Sequence, residues 1–92
     1  MLERQIEAYL RDKVKALGGI AYKFTSPTNR GVCDRLVLFP GGNVWFIELK
    51  TATGRLTPLQ VQFGQKMEAL GMRYAVLRSK EEVNEWLLTI TR

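Results

Sequence analysis

Asp34 and the triplet Glu48-Leu49-Lys50 put two carboxylates and an ammonium where two neighbouring strands could bring them together. Side chains alternate across a strand, so Glu48 and Lys50 share one face. Two carboxylates converging at one end of a hairpin give the oxygen-rich site that Mg²⁺ prefers, with positions left open for water and a phosphate oxygen. A lysine beside them could orient the attacking water or steady the charge of a pentacovalent transition state. A third carboxylate is available from the opening segment. Glu3 lies seven residues before Leu10 and Glu7 seven before Val14, so both project near the face that these apolar residues bury. A partly buried carboxylate needs a partner, and a metal is one adequate partner. The whole is a nuclease-like arrangement.

The residue inventory narrows the chemistry further. The chain has no histidine, so general-base work falls to Glu, Asp, Lys or water, and its one cysteine, Cys33, has neither a disulfide partner nor an imidazole to activate it. A net charge of +5 and a pI near 9.7 favour a polyanionic partner. Glu3, Glu7, Asp34 and Glu48 belong to the proposed site, while Glu81, Glu82 and Glu85 gather near the C-terminus. The middle of the chain is therefore expected to present a positive surface. Ninety-two residues make one domain, 1–92, with a single modest core. With no apolar run near membrane-spanning length and no signal peptide, an intracellular protein is expected, in the cytoplasm of a bacterium or a phage-infected host cell.

The elements that would position these residues follow from periodicity. Leu2, Ile6, Leu10, Val14 and Leu17 recur at helical spacing, and Gly18-Gly19 stops a helix over 2–18. Residues 20–24 read as a strand, 25–31 as a polar loop and 34–39 as a second strand. Pro40-Gly41-Gly42-Asn43 is a turn, so a third strand over 44–50 returns antiparallel. Both faces of that strand begin apolar, as expected of a central strand covered twice. Thr57 and Pro58 start a helix whose buried stripe is expected to be Leu59, Phe63, Met67 and Leu70. A fourth strand over 73–78 and a short helix over 81–88 follow, the latter with Val83, Trp86 and Leu87 inward. Trp45 and Trp86 read as core residues. The expected fold is α/β, a mixed four-stranded sheet flanked by helices in the order α-β-β-β-α-β-α.

Glu3 and Glu7, Gly31-Val32-Cys33-Asp34-Arg35, the Gly41-Gly42 hairpin, Phe46-Ile47-Glu48-Leu49-Lys50 and Thr57-Pro58-Leu59-Gln60 together resemble the PD-(D/E)XK nuclease superfamily, specifically its VRR-NUC (virus-type replication-repair nuclease) branch. The resemblance runs from about Glu3 to Lys80. It implies a restriction-endonuclease-like core and metal-dependent hydrolysis of DNA phosphodiesters, and it associates stand-alone members with branched DNA. It makes Asp34 the motif acid, Glu48 and Lys50 the E-x-K pair, Glu3 or Glu7 the helical acid, and Gln60 the helix-borne glutamine. The metal ligands it implies are Asp34, Glu48, Leu49 and Glu7, for Mg²⁺ with Mn²⁺ able to substitute. One departure is visible, because Cys33 stands where the family usually has proline, a structural rather than a chemical position.

Gln60 has a second reading, since Thr57-x-x-Gln60 is itself a capping box. Lys23, Asn29, Arg30, Arg35 and Arg55 surround the expected mouth of the site and are the candidates for phosphate contacts. A Mg²⁺-dependent, structure-selective endodeoxyribonuclease is expected, acting as a homodimer on four-way junctions as a Holliday junction resolvase. A nickase or flap nuclease and a catalytically silent DNA-binding module are the rivals.

Overall fold

The computed structural model describes residues 2–28 and 30–90. Its elements are α1 (Glu3–Ala16), β1 (Ile20–Lys23), β2 (Arg35–Phe39), β3 (Asn43–Leu49), α2 (Pro58–Ala69), β4 (Tyr74–Leu77) and α3 (Lys80–Ile90). The four strands form one sheet in the order β1-β2-β3-β4. The first three make an antiparallel meander, and β4 joins β3 in parallel after the crossover through α2. None of the described helices is long and apolar enough to cross a membrane.

One face of the sheet carries the core. Ile6, Leu10 and Val14 of α1 and Val83, Trp86 and Leu87 of α3 pack on Val37, Ile47, Leu49 and Leu77. Trp45 meets Trp86 edge-on at 5.7 Å between ring centroids, which places both indoles in the core as expected. Leu17 is exposed, because α1 ends at Ala16 and Leu17 is its C-cap. The last helix begins one residue earlier than its apolar pattern suggests. Ser79 Oγ accepts the Glu82 N–H at 3.0 Å, so Ser79 ties down the first turn.

The other face is only partly covered. On α2 the buried residue is Gly64, which sits against Tyr74, while Leu59 and Leu70 are 45% and 67% exposed. The expected stripe of Leu59, Phe63, Met67 and Leu70 is thus not a buried one. α2 docks instead through an aromatic cluster in which Phe63 meets Phe24, Phe46 and Tyr74 at centroid distances of 6.5, 6.1 and 6.2 Å. It lies towards β4, so Ile20, Tyr22 and Val44 on the same sheet face stay exposed. β3 is therefore covered twice along only part of its length.

Candidate active site

Register alone brings the two motif acids together. Arg35 pairs with Ile47 across β2 and β3, so the next position in that register sets Asp34 opposite Glu48 on the face towards α2. Asp34 Oδ2 accepts the Leu49 N–H at 2.8 Å, which fixes the carboxylate at the mouth of the hairpin. Glu48 is 1% exposed, an ionisable group in a nearly fully buried place. Its Oε1 accepts from Gln60 Nε2 at 3.1 Å, and its Oε2 is buried without a partner.

Gln60 closes the capping box and also touches Glu48. Its Oε1 accepts the Thr57 N–H at 2.9 Å and its own N–H donates to Thr57 Oγ1 at 3.2 Å, completing the capping box, while its Nε2 reaches Glu48. The loop that brings α2 back to β3 is braced by Arg78, whose Nη1 donates to the carbonyls of Thr51 and Gly54. Sequence reasoning gave Arg78 no role, and its spacing carries no signal for this one.

The electrostatics follow from burial and crowding. Burial first, then the charge of Asp34, pushes the Glu48 carboxyl up to about 8, with Lys50 acting in the opposite sense. Glu3 is raised by burial and by Asp34, and lowered by Lys50, so it belongs to the same electrostatic neighbourhood. Glu48 Oε2 has no donor, and a protonated Glu48 would share a hydrogen bond with Asp34. A divalent cation would relieve both the crowding and the orphaned oxygen, so the donor set fits one. Among the described residues no three His, Cys, Asp or Glu side chains stand together as a closed ligand group. Mg²⁺ suits such an open pair, being bound by one or two carboxylates with its other positions given to water and phosphate. Leu49 has its side chain in the core, which leaves only its backbone carbonyl as a donor.

Two sequence expectations are corrected here. Arg35 does not line the mouth of the site. It is 8% exposed, with Nη1 donating to the Ala21 carbonyl at 2.9 Å and Nη2 lying 3.1 Å from Glu7 Oε1. Glu7 is accordingly engaged by Arg35, and of the two helical acids it is Glu3 that acts on the Asp34–Glu48 pair. Parity could have revealed this, because Arg35, Val37 and Phe39 alternate with Asp34, Leu36 and Leu38 and so belong to the core face. Lys23, Arg30 and Arg55 are exposed, and Asn29 lies outside the described residues. Cys33 is fully buried, and burial pushes its thiol up to about 12, which leaves it without nucleophilic character.

No protein-family model matches the chain. It is 44% identical over 79 residues to the protein named "Putative nuclease p44" of Acyrthosiphon pisum secondary endosymbiont phage 1, covering 86% of this chain and 85% of the relative. A solved structure described as a VRR_NUC domain superposes with a TM-score of 0.88 at 27% identity, covering 92% of each chain.

Proposed function

The chain belongs to the VRR-NUC family of nucleases, and from that premise we propose that it is a Mg²⁺-dependent, structure-selective DNA endonuclease acting on four-way junctions. The observation that carries the reading is the Asp34–Glu48 pair, directly opposed across a hairpin, with Gln60 on one Glu48 oxygen and no partner on the other.

Each residue has a distinct task in phosphodiester hydrolysis. Asp34 and Glu48 would hold the cation, which would supply neutralisation of the scissile phosphate and a water of lowered pKa. Gln60 fixes the rotation of the Glu48 carboxylate through Nε2, and the Leu49 N–H fixes that of Asp34. Lys50, half-exposed at the end of β3, places its ammonium beside these carboxylates to hold the attacking water or the developing charge. Glu3 adds negative potential at the rim of the pair.

Selection by shape suits this architecture, since contacts to the sugar-phosphate backbone need only a basic surface of the right form. A four-way junction requires two symmetric cuts, and a C2 dimer supplies two such sites in fixed relation. The uncovered sheet face with Ile20, Tyr22 and Val44 offers apolar surface for the pairing. Trp86 and Leu87 do not, because they are buried in the protomer's own core.

The test is cleavage of a synthetic four-way junction, a flap and a supercoiled plasmid with Mg²⁺, with Mn²⁺ and with chelator, alongside sedimentation at micromolar concentration. Paired symmetric cuts in the junction by a dimer are expected. Junction DNA left intact while a flap is cut, by a monomer, would replace the resolvase reading with that of a flap nuclease.

A further inference from the structure

A cleft of about 750 Å³ opens between the β1–β2 connection and α2, on the same sheet face as the Asp34–Glu48 pair. Leu59, Phe63 and Lys66 enter it from one face of α2, at spacings of four and three residues. Phe24, Thr25 and Arg30 enter from the connection. The chemistry is mixed in a specific way. Two half-buried rings, Phe24 and Phe63, form an apolar floor, while the cations of Arg30 and Lys66 are exposed at the wall. Among the described residues no lining side chain is acidic. An apolar, aromatic floor beneath two cations suits a flat heterocycle joined to a phosphate, and the volume falls in the range of small-ligand sites.

The cleft is tied to the catalytic pair by the chain itself. Gly31 has φ +83°, and a Cβ there would lie 2.6 Å from the Leu59 carbonyl carbon, so the connection rests directly on the first turn of α2. Val32 lines the cleft and Asp34 is two residues further on, a span of at most ~7 Å. On the α2 side, Leu59 lines the cleft and the next residue, Gln60, holds Glu48.

Resting on the nuclease reading above, we infer that this cleft is a subsite for one unpaired nucleotide of the DNA substrate, its base against Phe24 and Phe63 and its phosphate between Arg30 and Lys66. A base displaced at a branch point or mismatch is already unstacked, and taking it into an aromatic pocket costs less than extruding a paired one. The subsite would bias cleavage towards phosphates beside an unpaired position.

The full-length chain in chelator is titrated with dAMP, with 2-deoxyribose 5-phosphate and with inorganic phosphate, and followed by backbone amide NMR. dAMP should perturb Phe24, Leu59, Phe63 and Lys66 at millimolar concentration and bind at least about fivefold more tightly than the sugar phosphate. Lys66→Glu and Arg30→Glu change exposed side chains and should weaken it further without altering the melting temperature. Equal response to dAMP and inorganic phosphate, or none to dAMP, overturns the subsite. A duplex carrying one unpaired nucleotide is then compared with the same duplex carrying an abasic residue there. The base should tighten binding about tenfold, in line with base–aromatic stacking. A mononucleotide site with no such discrimination in DNA would be a site for free nucleotides and would overturn the assignment. Discrimination in chelator without cleavage in Mg²⁺ would sink the nuclease reading and leave the subsite standing. Cleavage without discrimination would do the reverse.

Discussion

Gln60 Nε2 stands 3.1 Å from Glu48 Oε1 while Gln60 Oε1 accepts the Thr57 N–H at 2.9 Å, so a single amide joins the start of α2 to the buried carboxylate. Gln60→Ala and Thr57→Ala should both lose helix capping, at about 1 kcal/mol each. Only Gln60→Ala frees Glu48 to rotate, and it should also lower cleavage by about 10- to 100-fold, the usual effect of losing a group that orients a metal ligand. Paired melts and kcat/KM for the two variants check this. Equal activity in both would limit Gln60 to capping.

Glu48→Gln should abolish cleavage and yet raise the stability of the metal-free protein. Because folding raises the Glu48 pKa from 4.5 to about 8, the folded state binds this proton more tightly than the unfolded chain does. The stability it contributes is complete below 4.5 and is lost as pH rises through about 8. In chelator, the wild-type Tm should therefore fall across that window, and the variant, having no charge to bury, should fall less. Mg²⁺ should restore the wild type alone. A variant with wild-type pH dependence would contradict the crowded pair.

Asp34→Asn keeps an oxygen able to accept the Leu49 N–H, so fold and DNA binding should survive while cleavage is lost. Cleavage at ordinary Mg²⁺ by this variant would remove Asp34 from the site.

Arg35→Ala and Arg30→Ala should separate cleanly. The first strips a buried guanidinium from Glu7 and the Ala21 carbonyl, with a loss towards the lower end of the roughly 3–5 kcal/mol typical of a broken buried pair. The second should leave urea denaturation unchanged and reduce the log–log salt slope of DNA binding by about 0.9 for each phosphate contact removed.

Gly64→Ala is expected to destabilise by about 1–3 kcal/mol in spite of the better helix propensity of alanine. The added methyl would lie 2.7 Å from Tyr74 Cε2, and the ring is held in place by Phe63. Urea denaturation measures it, and an unchanged midpoint would show that α2 can slide over β4.

The pairing of Asp34 with Glu48 was legible because strand alternation and a glycine turn set both face and register. The same alternation would have assigned Arg35 to the interior, but its charge suggested a surface role, and the Glu7 carboxylate and Ala21 carbonyl that make its burial tolerable come from elements remote in sequence. Helical periodicity showed which residues of α2 share a face. It could not show how much sheet lies beneath them, which is why Leu59 and Leu70 were expected to be buried and are exposed. The capping box was readable from Thr57 and Gln60, whereas the reach from Gln60 to Glu48 depends on how residues 50–57 are folded back, and Arg78 braces that loop from beyond β4.

The mixed topology has a consequence for the order in which this molecule assembles. β2 and β3 are joined by a short turn, so Asp34 meets Glu48 through a loop that closes at small entropic cost. β4 pairs with β3 only after the whole crossover between Leu49 and Tyr74 has been closed, and Gln60 arrives with it. The acids thus meet through a short-range strand pairing, whereas the amide that orients Glu48 depends on the pairing of longest sequence separation in the sheet. A chain in which the crossover had not docked would carry the charge pair without the amide that orients it, so the competence of the pair is tied to completion of the sheet.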